Sequence, residues 1–378
     1  MRVLHVTDGY LPRVGGIELH VRDLATRQRL SGLDAQVLTL TPSVEDLDPD
    51  WVHRVRGLRV DEPAGLRRAA AQLDRHFTSN LSAGADVVHV HVSVFSPFGA
   101  MAARMAAGRG LAVLVTVHSM WTRLGPGPVM ARDLLGLRRW PVVWSSVSAR
   151  AAAPVRDLLG ADIEVHVLPN AVEPDRWRSA DATWAEIRPA GAPLTVVSVM
   201  RLTHVKRTLP LARILCDVRR SLPADIDMRA VVVGDGPRRP AMERHLHRHG
   251  LRDLVTLAGR IDRDAIREEL HRAAVFLAPA EKESFGIAPL EARTTGLPVV
   301  ASSQAGVSEF VTHGVHGFLG DTDAAMARHV TRLLTDDSLR VRIARHNRQV
   351  APQHDWDHAL AGADRLYASA LRRERATR

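Results

Sequence analysis

The sequence predicts an α/β protein made of two consecutive doubly wound parallel sheets. Three observations carry this. Short β-branched runs at 3–6, 86–92 and 113–118 read as strands buried on both faces. Turns rich in glycine or serine follow such runs, and apolar residues at helical spacing follow the turns, which is the rhythm of βαβ units. The rhythm restarts at Leu194 after a polar stretch, so the 378 residues divide into two halves, each long enough for its own core.

Composition narrows the class. Hydrophobic content of 46% with 25% charged residues is that of an ordinary water-soluble domain protein. Cys216 is the sole cysteine and sits among apolar residues at helical spacing, which predicts a buried helix face. One cysteine permits no internal disulfide and fits a reducing, cytoplasmic setting. Asp8 and Gly9 interrupt any apolar leader, and no apolar run approaches the ~18 residues a membrane span needs. The net charge of +9 raises nucleic acid, anionic membrane and phosphorylated ligands as partners. The cations are dispersed and aromatics make up only 4%, which gives no base-stacking platform, and no nucleic-acid partner is expected. Arginine supplies nearly all the positive charge. The only lysines are Lys206 and Lys282, so each draws notice as a compact point charge that arginine does not replace. Lys282 receives no role.

The first half, 1–180, opens with the strand at 3–6. A loop follows, ending in Gly15 and Gly16, and then Ile17, Val21, Leu24 and Ala25 mark a helix closed by Gly32. Paired glycines let backbone approach a bulky ligand. The pattern is neither G-x-G-x-x-G nor a Walker loop, and alone it reads more often as a plain turn. Residues 51–80 carry Arg54, Arg56, Arg59, Arg67, Arg68 and Arg75, a solvated helical face or one that touches a membrane. His89 and His91 share a strand face. With His118 they would make a three-histidine metal site, but no further ligand stands at a diagnostic spacing and no metal is expected. His118 ends a strand, where parallel sheets hold their ligands. It is a contact for substrate hydroxyl or phosphate, or a satisfied core histidine. The mixed segment 121–140 is an acceptor-binding or membrane-touching stretch, or ordinary packing. Ser148 is a predicted N-cap, and a linker is expected near 178–192.

The second half, 193–352, places Arg201 and Lys206 around one strand–helix turn. There they suit a diphosphate, one as a fork and one as a point charge, or else simply face solvent. Glycine turns follow at 234–237 and at 259, the latter leading into Arg260 and Ile261. The most informative stretch is 283–291. Glu283 and Glu291 stand eight positions apart in a strand–loop–helix unit, with Pro289 in the first turn and Gly296 at the stop. Amides at a helix N-terminus bind anions, while carboxylates accept from hydroxyls. A nucleotide sugar presents both. Residues 353–378 form a C-terminal helix with a basic tail.

These segments, in this order, resemble the family-4 retaining GT-B glycosyltransferases of the group 1 type. The match includes Tyr10-Leu11-Pro12, Gly15-Gly16-Ile17-Glu18, Thr116 to His118, Pro169-Asn170, Arg201-Leu202 to Lys206, Gly234-Asp235-Gly236-Pro237 and the Glu283–Glu291 stretch. The resemblance implies two Rossmann-like domains facing across a cleft, with the C-terminal helix crossing back to the first. It implies metal-independent, retaining transfer of a hexosyl-type sugar, without cofactor, from a UDP- or GDP-sugar to a hydroxyl acceptor. It also implies roles: Gly15 and Gly16 facing the donor diphosphate, Arg201 and Lys206 binding it, and Glu283 holding sugar hydroxyls with the amides of Phe285, Gly286 and Ile287. Leu290 would line the donor site, Glu291 would hold the ribose, Arg260 and Ile261 would lie near the base, and His118 would touch the sugar. Arg207 follows Lys206 where the family usually has glycine. The acceptor stays open between a lipid-linked glycan, an inositol-type polyol and a natural-product aglycone. Peripheral membrane contact stays open too, as does a nucleotide-sugar epimerase on the same scaffold.

Overall fold

A computed structural model describes residues 1–43, 48–55, 63–78, 84–121, 136–178 and 191–377. In chain order the elements begin β1 (Arg2–Thr7), α1 (Gly16–Leu30), β2 (Asp34–Thr39), β3 (Val52–Arg54), α2 (Pro63–Thr78), β4 (Val87–Val92), α3 (Pro97–Gly108), β5 (Ala112–Val117), β6 (Val143–Ser146), α4 (Ala149–Leu159), β7 (Val165–Val167) and α5 (Pro174–Trp177). They continue β8 (Leu194–Val199), α6 (Thr208–Ser221), β9 (Met228–Val233), α7 (Arg239–Arg248), β10 (Val255–Gly259), α8 (Arg263–Arg272), β11 (Val275–Ala278), α9 (Ile287–Thr294), β12 (Val299–Ser302), β13 (Gly317–Gly320), α10 (Asp323–Thr335), α11 (Asp337–Gln349) and α12 (Trp356–Thr377).

Two compact units result, one of Met1–Ala171 with Trp356–Arg378 and one of Val172–Asp355. The first unit is a parallel seven-stranded sheet in the order β3-β2-β1-β4-β5-β6-β7. Its central strands β4 and β5 are buried along their whole length, His89, His91 and Thr116 included, as a sheet covered by helices on both faces requires. The C-terminal helix α12 belongs to this unit. Its Leu366, Tyr367 and Ala370 pack on Val3, Val87, Leu114 and Val143 of the sheet. Ser148 caps α4 by accepting from the Ala151 amide at 2.9 Å.

Two boundaries differ from the sequence reading. The chain leaves the first unit after Ala171, so α5, expected within 1–180, is part of the second. Residues 52–54 form an edge strand rather than a basic helical face, and Arg54 there is buried against Asp48 at 2.5 Å. Of the other arginines in that stretch, Arg67, Arg68 and Arg75 are exposed, and Arg56 and Arg59 lie outside the described residues. Most of the 121–140 segment and of the 178–192 linker also lies outside them. Among the described residues no helix is long and apolar enough to cross a membrane.

The second unit is a parallel six-stranded sheet in the order β10-β9-β8-β11-β12-β13. Helices α6 and α10 contribute Leu211, Ile214, Leu215, Met326, Val330 and Leu333 to one core. Cys216 is buried on α6. In both sheets the strand order reverses about the first strand, between β1 and β4 and between β8 and β11. At such points adjacent loops diverge and leave a crevice beyond the carboxyl ends of the strands.

Candidate functional site

At the β8/β11 reversal the loop after β8 carries Arg201 and Lys206, and the loop after β11 carries Glu283. Lys206 Nζ lies 2.5 Å from Glu283 Oε2, and both side chains keep about a quarter of their surface open, at 23% and 22%. The contact forms because the two strands are neighbours and Arg207 adopts a left-handed backbone (φ 60°) as the N-cap of α6. That conformation costs a residue with a Cβ roughly 1–2 kcal/mol. The Arg207 guanidinium offsets it by bonding the Pro279 carbonyl at 3.1 Å and Asp323 at 2.8 Å, with Glu281 at 3.2 Å. The side chain that departs from the family pattern thus ties the start of α6 to the loop bearing Glu283.

Glycines shape the backbone beneath these loops. Added Cβ atoms at Gly234 and Gly236 would collide with the carbonyls of Met200 and Leu202. The same contact lets the Leu202 amide donate to Asp235 at 2.9 Å and the Arg238 amide donate to Leu202 at 2.9 Å. Gly306 donates to the Glu283 carbonyl at 2.8 Å, and a Cβ there would strike the Ser284 carbonyl. Gly286 (φ 99°) starts α9 in a conformation that suits glycine. The glycine turn at 234–237 therefore holds the Arg201 loop in place.

The remaining candidates of this unit divide by burial. Arg201 and Arg260 are exposed, and Glu283, Ile287 and Ile261 are part-buried. Phe285 is 1% exposed. The first amides of α9 lack intrahelical partners and point out of its positive end. Leu290, expected to line the donor site, is fully buried and donates its amide to Gly286 at 3.1 Å. Glu291 is buried on α9 with Arg263 of α8 at 3.9 Å. Arg263 escaped the sequence reading because 28 positions separate it from Glu291 and only the packing of α8 against this loop region joins them.

At the β1/β4 reversal of the first unit, the Asp8 carboxylate accepts from the Phe98 and Gly99 amides of α3 at 3.2 and 3.0 Å. Burial pushes its pKa up against these bonds. Gly15 caps α1 in an extended conformation and Gly16 begins the helix. Glu18 lines this backbone, its carboxylate packed against Gly9 and Gly15, with Arg13 at 3.2 Å.

His118 follows β5, is 5% exposed, and places Nε2 3.0 Å from His91 Nδ1. His91 Nε2 lies 3.0 Å from His5 Nδ1, and His5 Nε2 lies 2.7 Å from Gln28 Oε1. The side chains of His5, His89 and His91 offer nitrogens within 4.8 Å of one another. Hence the histidines close enough for one ion include His5, which pairs with His89 across the β1–β4 register, and leave out His118. Both ring nitrogens of each of these three are already hydrogen-bonded, to other side chains of the cluster or to Gln28, Tyr367 and Thr116. Burial drives the His5 pKa down to about 4 and holds His89, His91 and His118 well below the usual histidine value.

Sequence comparison bears on both units. The family described as glycosyl transferases group 1 matches residues 183–350, and glycosyltransferase family 4 matches residues 14–176. A D-inositol 3-phosphate glycosyltransferase of Xylanimonas cellulosilytica is 27% identical, over 95% of this chain and 93% of its own. A GDP-mannose-dependent alpha-(1-6)-phosphatidylinositol monomannoside mannosyltransferase of Mycobacterium tuberculosis is 28% identical, over 95% and 96%. Among solved structures, sucrose-phosphate synthase of Thermosynechococcus elongatus superposes with a TM-score of 0.78 at 18% identity, covering 97% of this chain and 98% of that one. Anabaena HepE, solved with UDP-glucose, superposes with a TM-score of 0.75 at 18% identity, covering 98% and 99%. With a GT-B fold and matches along both units, the chain belongs to the family-4, group 1 glycosyltransferases.

Proposed function

We propose that this glycosyltransferase moves a hexosyl-type sugar from a nucleoside-diphosphate sugar to a hydroxyl acceptor, with retention at the anomeric carbon and without a metal. The observation that carries the reading is the Lys206–Glu283 contact at the strand-order reversal. It sets a point charge suited to phosphate beside a carboxylate suited to sugar hydroxyls. Arg201, exposed in the same loop, adds a second cation for the diphosphate. The amides at the start of α9 add fixed positive dipoles. Together these groups stabilise the charge that builds on the leaving diphosphate, the main electrostatic demand of the reaction. The anomeric C–O bond to phosphate breaks and the acceptor oxygen bonds the same face. The acceptor's proton passes to the departing phosphate oxygen. Glu283, bonded to Lys206, acts as a sugar-positioning group rather than as a nucleophile.

Glu291 is assigned to the ribose, Arg260 and Ile261 to the base, and His118 to the transferred sugar. The donor is proposed to be a UDP- or GDP-sugar. A GDP-mannose-dependent relative and a neighbour solved with UDP-glucose support those two bases. Relatives named for inositol phosphate and for a phosphatidylinositol mannoside support a polyol hydroxyl, free or lipid-linked, as acceptor. For a lipid-linked acceptor, exposed Arg67 and Arg68 on α2 are cations suited to anionic headgroups.

Stereochemistry tests this reading without knowledge of the acceptor. Water can replace the acceptor in a slow side reaction, and the anomer first released is seen by proton NMR before mutarotation. An α-linked donor is expected to release the α-sugar. Release of the β-sugar first would reject retention. Interconversion of the sugar nucleotide with no sugar released would favour an epimerase.

A further inference from the structure

We propose that Arg207 is a positioning residue of the donor site, holding the loop before Glu283 in register with Lys206. Its effect on turnover rests on the proposed roles of Lys206 and Glu283. The clamp itself rests on geometry within the second unit.

Among the described residues Arg207 is the only one other than glycine with a positive φ, at φ 60° and ψ 46°. Glycine takes that conformation without a Cβ clash, and arginine does not. The backbone of the turn closes without the side chain. The Arg207 amide donates to the His204 carbonyl at 2.9 Å, and the Arg207 carbonyl accepts from the Leu211 amide at 2.9 Å. What arginine adds therefore lies at the end of its side chain. Guanidinium Nη1 donates to the Pro279 carbonyl at 3.1 Å and to Asp323 Oδ1 at 2.8 Å, while Nη2 lies 3.2 Å from Glu281 Oε1. One planar fork meets acceptors on two segments, a match that a lysine ammonium on its flexible stem does not make.

These acceptors frame the site. Pro279 directly follows β11, and Glu281 stands two positions before Glu283. Beyond them the Glu283 carbonyl accepts from the Gly306 amide at 2.8 Å. Arg207 thus holds the loop at Pro279 and Glu281, and Gly306 holds it at Glu283. Asp323 stands in the first turn of α10, where the helix dipole favours a carboxylate, and Thr322 caps that turn by accepting from the Ala325 amide at 3.1 Å. Helices α6 and α10 share one core, so Asp323 is a fixed anchor for the start of α6. Lys206 is the residue before Arg207, and fixing that backbone fixes the stem of Lys206. Its ammonium meets Glu283 at 2.5 Å. The guanidinium is committed to two carboxylates and a carbonyl, so it acts on the donor through Lys206 and Glu283 rather than by touching it.

Arg207→Gly suits the backbone and removes the fork. Relief of the left-handed strain offsets much of the lost bonding, and the melting temperature is expected to stay within about 4 °C of wild type. With Lys206 and Glu283 present but misplaced, kcat is expected to fall roughly tenfold to 10²-fold, with donor KM changed less than about threefold. Arg207→Lys keeps a charge without the fork and is expected to recover no more than about twofold of that loss. A second readout does not depend on activity. The chain has two lysines, so the full-length protein labelled at lysine Cε and Nζ gives two side-chain signals, assigned with Lys282→Arg. Lys282 is exposed and marks the solvated position. The Lys206 signal is expected apart from it in the wild type and shifted toward it in Arg207→Gly. A kcat of Arg207→Gly within about twofold of wild type would overturn the proposal. So would an unmoved Lys206 signal, or a loss carried by KM that Arg207→Lys restores, which marks direct contact with phosphate. If Arg207→Gly fails to fold, Asp323→Asn loosens the same clamp. It is expected to lower kcat about threefold or more and to shift Lys206 the same way, and wild-type values of both would overturn the proposal. If Lys206 shifts as expected but the wild type turns over no sugar nucleotide, the functional reading fails and the clamp stands.

Discussion

Replacing Lys206 with alanine is expected to lower kcat by roughly 10²–10³-fold, the range seen when one donor to a developing oxyanion is lost. Two effects combine. The leaving diphosphate loses a point charge, and Glu283 loses the partner 2.5 Å away that holds it. Stability should hardly change, because a partly exposed ion pair contributes ~0–1 kcal/mol. A melting curve beside the kinetics separates the two. Lys206→Arg is expected to recover little, since a planar guanidinium on a different stem does not reproduce the compact ammonium. Turnover of Lys206→Ala within a fewfold of wild type, at saturating donor, would reject the assignment of this side chain to the leaving group.

The second large effect is on acid stability. His5 titrates near 6.5 when the chain is unfolded and near about 4 in the folded state, because burial disfavours its charged form. Between these values the unfolded chain binds the proton and the folded chain does not. Stability is therefore complete above pH 6.5 and falls as pH drops toward 4. The His5 contribution alone is on the order of 3 kcal/mol. His89, His91 and His118 are lowered in the same direction by the same cause, and as contacting groups they lose stability together rather than additively. Against a total of ~5–15 kcal/mol this is enough to threaten the first unit. Denaturant unfolding at pH 7.5 and at pH 5 checks it. The midpoint is expected to fall clearly at pH 5, and an unchanged midpoint would show that the cluster is already charged or open to water.

Much of this architecture is legible in the sequence, for physical reasons. Strands buried on both faces must be β-branched runs, and the carboxyl ends of such runs mark where loops diverge. That logic alone brings Lys206 and Glu283 to one region across 77 positions. The period-2 pleat likewise puts His89 and His91 on one face. Other features depend on register or on tertiary packing, which periodicity does not encode. His5 joins the histidine cluster because β1 pairs with β4 in one particular register. Tyr367 reaches Gln28 across 339 positions because α12 returns to the first sheet. The left-handed Arg207 is invisible from composition, since arginine is a poor choice for that backbone and only its three partners make it tenable. Edge strand β3 was hidden by the arginines around it.

Arg201, Lys206 and the start of α9 are proposed to form a site in the second unit that recognises the diphosphate of a nucleotide sugar. Calorimetric titration of the full-length chain with uridine, guanosine and adenosine, each as nucleoside, monophosphate and diphosphate, tests it most directly. For one base the diphosphate is expected to bind at least tenfold more tightly than the monophosphate, with the nucleoside weaker still, and Lys206→Ala is expected to remove most of that preference. Equal affinity for nucleoside and diphosphate, or a diphosphate preference untouched by Lys206→Ala, would contradict it.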